Sequence, residues 1–136
     1  MEKYALSVCL AAELNYELKA MLHQHLVRLD ICDSVERAEE RIRKQRFCLI
    51  IYNTTALPAG QTLQVLDWMR KVIYTPILLL APPGTEGELI AAGADQCVSA
   101  DVAYKTVLSA AFSLLRRYLF YDHYREVWPL DTAIYQ

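Results

Sequence analysis

Phe47 to Asn53 reads FCLIIYN, and Pro76 to Ala81 reads PILLLA. Both runs are apolar throughout and too short for a packed helix. Each is closed by turn-forming sequence, Pro58 and Gly60 after the first and Pro82, Pro83 and Gly84 after the second. Strands buried on both faces have this character, because neither side of the pleat meets water. Tyr4 to Leu10 (YALSVCL) is a third run of the same kind, and the short QCVS from Gln96 to Ser99 is a fourth. Working outward, the stretches between these runs carry helical spacing. Leu14, Leu18, Met21 and Leu22 share one helix face, as do Val35, Ala38 and Ile42, and then Leu63, Leu66 and Met69.

Asp33 with Glu36 three residues later has the spacing of a capping box opening the second helix. Val27 to Cys32 (VRLDIC) alternates apolar and polar, as an edge strand covered on one face does. A short helix over Glu86–Ala92 stops at Gly93, and a long one begins near Ala103. Strands alternating with helices imply crossover units and a parallel sheet covered on both faces. The amphipathic second strand and the apolar others suit the flavodoxin-like order 2-1-3-4-5, which places function at the carboxyl ends of strands one and three.

Composition narrows the function classes. A chain of 136 residues with 54% hydrophobic and 22% charged residues has room for one cored domain and is not a disordered segment. With a net charge of −2 it lacks the basic face that phosphate contacts need, so nucleic acid is not an expected partner. No apolar run approaches a membrane span, and Glu13 follows too soon for a secretory leader, so a cytoplasmic location is expected. Cys9, Cys32, Cys48 and Cys97 lie in apolar stretches without metal-ligand spacing and read as four buried thiols. His23 and His25, two apart, cannot share a helix face and read as surface residues. No cofactor, metal or catalytic residue is expected.

FCLIIYN, LPAG, LQVL, TPILLLA, GADQCVSAD and LLRRY, in that order, resemble the receiver domains of response regulators. The resemblance runs from Lys3 to about Tyr118. It implies the five-stranded fold above, and it also implies a phosphorylation site whose residues can be checked one by one. The family places an acidic cluster after the first strand, where this chain has Cys9, Leu10 and Ala11. The phosphoryl-accepting aspartate corresponds to Asn53, whose amide has no anionic oxygen to attack with. The serine or threonine after the fourth strand corresponds to Ala81, and the lysine after the fifth to Ala100. The resemblance thus implies a degenerate receiver whose pocket (Cys9, Leu10, Ala11, Asn53, Ala81, Ala100) is vestigial.

Such a chain is expected to regulate by contacts, as part of a bacterial transcriptional response regulator. An alternative is a small-molecule or redox sensor that uses the emptied pocket. Two departures from the family pattern stand out: the fourth helix is short, and the fifth continues past Arg117 into YLFYDHY. The expected division is a receiver-like domain over 1–118 and a helix extension with tail or linker over 119–136. Leu115, Tyr118, Leu119, Phe120, Tyr121 and Tyr124 are the candidate faces of a homodimer. A partner protein, or a DNA-binding domain outside this sequence, would complete the regulator.

Overall fold

The computed structural model describes residues 2–58 and 60–127, with residue 56 and residues 120–127 described by backbone alone. Five parallel strands, β1 (Lys3–Val8), β2 (Val27–Cys32), β3 (Leu49–Asn53), β4 (Ile77–Ala81) and β5 (Gln96–Ser99), form one sheet in the order β2-β1-β3-β4-β5. The helices between them are α1 (Ala12–His23), α2 (Val35–Lys44), α3 (Gln61–Val72), α4 (Glu86–Ala91) and α5 (Tyr104–Val127). This is the expected flavodoxin-like fold, with α4 reduced to six residues and α5 extended to 24.

Each face of the sheet has its own core. Alternate strand residues Leu6, Ile50, Tyr52 and Leu79 pack under α2, α3 and α4. Their neighbours Ala5, Leu49, Ile51 and Leu78 pack under α1 and α5. The central strands are apolar on both faces because both faces are roofed. Each fully buried aliphatic side chain is worth roughly 1.5–3 kcal/mol, so this double layer supplies most of the driving force.

Three local expectations are corrected. The cap of α2 is Ser34 rather than Asp33: its hydroxyl oxygen accepts the Arg37 amide at 3.3 Å, while Asp33 pairs loosely with the Arg37 side chain. The reason is register, because Val35 is the first helical residue and the hydroxyl immediately before it faces the free amides. Ser34→Ala should therefore lower stability by about 1 kcal/mol in denaturant titration, and Asp33→Ala by clearly less. On the edge strand β2, Ile31 is exposed while Cys32 turns into the core beneath α2, since each face of an edge strand is only partly roofed. Finally, only Cys32 and Cys48 are buried; Cys9, just past the end of β1, and Cys97, on the edge strand β5, are half-buried.

A latch holds α3 to the far half of the sheet. The Arg70 guanidinium donates to the Gly93 carbonyl at 2.6 Å and the Thr75 carbonyl at 3.0 Å, and pairs with Asp95. The same Asp95 carboxylate accepts the Ile77 amide at 2.7 Å at the start of β4. The GAD motif is thus structural in this chain.

Candidate functional site

In a parallel sheet of this order the crevice for chemistry lies beyond the carboxyl ends of β1 and β3. The structure brings the six expected pocket residues to that end of the sheet. Cys9 leaves β1 with φ +61°, an uncommon backbone state for a side chain other than glycine, and its amide donates to the Cys32 carbonyl at 2.9 Å. Leu10 is half-buried and Ala11 exposed. Ala11 begins α1 with no side-chain cap. Ala81 ends β4 fully buried, and its carbonyl accepts the exposed Ala100 amide at 2.8 Å.

Asn53 is the centre of the arrangement, and both ends of its amide are occupied. Its Nδ2 donates to the Cys9 carbonyl at 3.1 Å, tying the end of β3 to the end of β1. Its Oδ1 accepts the Thr55 amide at 3.1 Å and the Thr55 hydroxyl at 2.7 Å, closing the turn that follows the strand. A carboxylate at 53 would lose the donor that faces Cys9 and set an anion against that carbonyl. The two nearest acids in sequence do not fill the gap. Glu13 is exposed on the first turn of α1, and Asp101 accepts the Ser99 hydroxyl within the turn after β5. Among the described residues, no three His, Cys, Asp or Glu side chains converge to hold a metal ion.

Burial favours the neutral form of both half-buried thiols, Cys9 at this end and Cys97 within β5. Burial, reinforced by Asp33 and Glu36, pushes the Cys9 thiol up from its ordinary range. Burial and Glu86 push Cys97 up to about 11. A raised thiol pKa means the fold favours the neutral form, and the thiolate is the reactive one. Alkylation of Cys97 by iodoacetamide at pH 8 should therefore run slower than that of a free cysteine peptide. It should still be climbing between pH 9 and about pH 11.

The sequence reading missed two features of this end. Ser7 and Asn15 are buried polar residues that bond to each other, the hydroxyl donating to Oδ1 at 2.5 Å. The Asn15 Nδ2 also reaches the Leu10 carbonyl at 3.4 Å, bracing the loop after β1. The available signal was a polar residue inside YALSVCL and another on an apolar helix face. Thr54, also buried, donates its hydroxyl to the Leu80 carbonyl at 2.9 Å and fastens the turn after β3 to β4.

Of the expected dimer residues, Leu115 is removed: it is 1% exposed, in the core beneath α5. Its position on the helix faces inward with Val107, Ala111 and Leu114. Tyr118 and Leu119 are half-buried at the edge of that core, with the Lys3 ammonium over the Tyr118 ring. The side chains of Phe120, Tyr121 and Tyr124 lie outside the described residues. His23 and His25 are exposed, as expected, and the His25 ring lies tilted against Phe112, centroids 5.1 Å apart. No described helix is long and apolar enough to cross a membrane.

No family model and no curated protein sequence matches the chain. Solved structures do. A signal receiver domain of a putative Luxo repressor protein from Vibrio parahaemolyticus superposes with a TM-score of 0.72 at 19% identity, covering 90% of this chain and 96% of that one. A two-component response regulator from Clostridium difficile gives 0.69 at 18% identity over 85% and 98%. The beryllofluoride-activated NtrC4 receiver domain, solved as a dimer, gives 0.69 at 17% over 85% and 98%. At these identities the likeness establishes the receiver fold.

Proposed function

We propose that this chain is a pseudo-receiver: a response-regulator receiver fold that takes no phosphoryl group, performs no catalysis, and regulates by dimerisation or partner contacts inside a bacterial signalling system. The observation that carries the reading is Asn53. At the position where the receiver fold presents its nucleophile, this chain has an amide with its donor on Cys9 and its acceptor on Thr55. Four further substitutions remove the remaining parts. No carboxylate follows β1, Ala81 offers no hydroxyl, and Ala100 offers no ammonium. A receiver without this chemistry retains its surfaces, and the receiver fold supplies one clear surface in α5, extended here to Val127.

A dimer fits that extension. The solved NtrC4 receiver is a dimer in its beryllofluoride-activated form; in this chain the association is proposed to need no activating group. The cytoplasmic setting and a role in transcription belong to the same reading. Light scattering at roughly 100 μM, a concentration at which a dimer of micromolar affinity is nearly complete, tests it. The mass should be that of a dimer, unchanged when acetyl phosphate and magnesium are added. A monomer refutes the dimer and leaves regulation to partner contacts; a mass that changes with the phosphodonor refutes the pseudo-receiver reading.

A further inference from the structure

Cys9 and Cys32 stand at the neighbouring carboxyl ends of β1 and β2. Val8 is the register partner of Cys32, and the Cys9 amide donates to the Cys32 carbonyl at 2.9 Å. One strand spacing of ~4.8 Å combined with a rise of ~3.3 Å for one residue sets the two Cα atoms about 6 Å apart. A disulfide spans Cα separations of about 4.4–6.8 Å. Direction matters as much as distance. Regular alternation would send Cys9 to the face opposite Val8. The left-handed backbone at Cys9, φ +61°, breaks that alternation, and its side chain packs against the same core as Val8 and Cys32, on the α2 side of the sheet. The two thiols also influence each other: burial and Asp33 push the Cys32 thiol up from its ordinary range, and Cys9 adds to the push. The other two thiols lie elsewhere. Cys48 precedes β3 at the opposite end of the sheet, in the core beneath α1 and α5. Cys97 sits on β5, three strands from β1 and so about 14 Å away at ~4.8 Å per strand.

We infer that Cys9 and Cys32 are an oxidant-responsive pair that closes to a disulfide within one chain, with hydrogen peroxide as the oxidant. Cys9 is half-buried and Cys32 only 2% exposed, so the peroxide meets Cys9 first. The Cys9 sulfur, as thiolate, attacks one peroxide oxygen. An S–O bond forms, the O–O bond breaks, and the other oxygen takes a proton and leaves as water, giving a sulfenic acid. The Cys32 sulfur gives up its proton and displaces the hydroxyl from the Cys9 sulfur, which departs as a second water. Two thiols have then lost two electrons and two protons, and the peroxide has become two waters. Burial, with Asp33 and Glu36, keeps Cys9 neutral and slows the first step, so the response is to sustained oxidant; the second step is favoured by proximity. The bridge would tie the loop after β1 to the end of β2, beside the Asn53 amide that donates to the Cys9 carbonyl. The inference needs only the fold and these two thiols, so it does not depend on whether the chain accepts a phosphoryl group.

Peptide mapping of the full chain tests it. Trypsin leaves each cysteine on its own peptide: residues 4–19, 29–37, 47–70 and 72–105 carry Cys9, Cys32, Cys48 and Cys97. After treatment with excess hydrogen peroxide at neutral pH, the remaining thiols are blocked and the protein is digested without reduction. The peptide 4–19 joined to 29–37 should outnumber every other bridged pair by about tenfold or more, because bridging needs this proximity, and dithiothreitol should remove it. Cys32→Ser leaves oxidised Cys9 without a partner, so dimedone should trap its sulfenic acid in that variant and trap little in the unmodified chain. Four surviving thiols, or Cys9 carried on to a sulfinic acid while Cys32 stays reduced, overturn the inference. A bridge that runs between two chains, seen as a doubled mass on a non-reducing gel, overturns it as well.

Discussion

Phe120→Asp combined with Tyr121→Asp should turn a dimer into a monomer of nearly unchanged circular dichroism. The inward face of α5 is already committed to the core through Val107, Ala111, Leu114 and Leu115. Phe120 and Tyr121 continue α5 beyond Tyr118 and Leu119, which are half-buried against that core. An aromatic side chain moved from water into an interface gains roughly 1.5–3 kcal/mol, and a two-fold axis uses each contact twice. Two carboxylates per chain would therefore remove several kcal/mol, against about 8 kcal/mol for a micromolar complex. Sedimentation should show the dissociation constant rising by at least about a hundredfold, the equivalent of ~2.8 kcal/mol. A variant that unfolds, rather than dissociates, would mean that these aromatics pack on their own domain.

Gly93→Ala should be the most damaging small substitution in the domain. Gly93 has φ +127°, and a Cβ there would stand 2.9 Å from the Arg70 Cγ. Left-handed backbone costs a side-chain-bearing residue about 1–2 kcal/mol. Displacing Arg70 then breaks its bonds to two carbonyls and to Asp95, charge-assisted contacts worth about 1.5–3 kcal/mol each when fully formed, less here because Arg70 and Asp95 are partly exposed. A loss of about 3 kcal/mol is expected, lowering Tm by roughly 10 °C. If the clash is the cause, Arg70→Ala with Gly93→Ala will cost clearly less than the sum of the two single changes.

The strands and the two-sided core were readable from local pattern because burial on both faces leaves continuous apolar runs and burial on one helix face leaves a 3.6-residue stripe. What escaped that reading depends on partners far apart in sequence. Arg70 finds Asp95 across 25 residues and Thr54 finds Leu80 across 26, and neither pairing leaves a local trace. Leu115 was misassigned for a different reason: the α5 stripe is wide, since this helix covers β3, β4 and β5 together, and a wide stripe takes in positions that a narrower one would leave outside. The pocket positions were assigned from the register of the flanking motifs. Which bonds Asn53 makes was not visible, since Cys9 lies 44 residues away.

The proposed replacement of every phosphorylation residue is tested most directly by labelling. Incubated with radiolabelled acetyl phosphate and magnesium at neutral pH, the protein should incorporate no phosphoryl group. Asn53→Asp should incorporate none either, because Cys9, Leu10, Ala11, Ala81 and Ala100 still supply no carboxylate for magnesium, no hydroxyl and no ammonium. Stoichiometric label on the unmodified chain that hydroxylamine or base releases, the signature of an acyl phosphate, would contradict the pseudo-receiver reading.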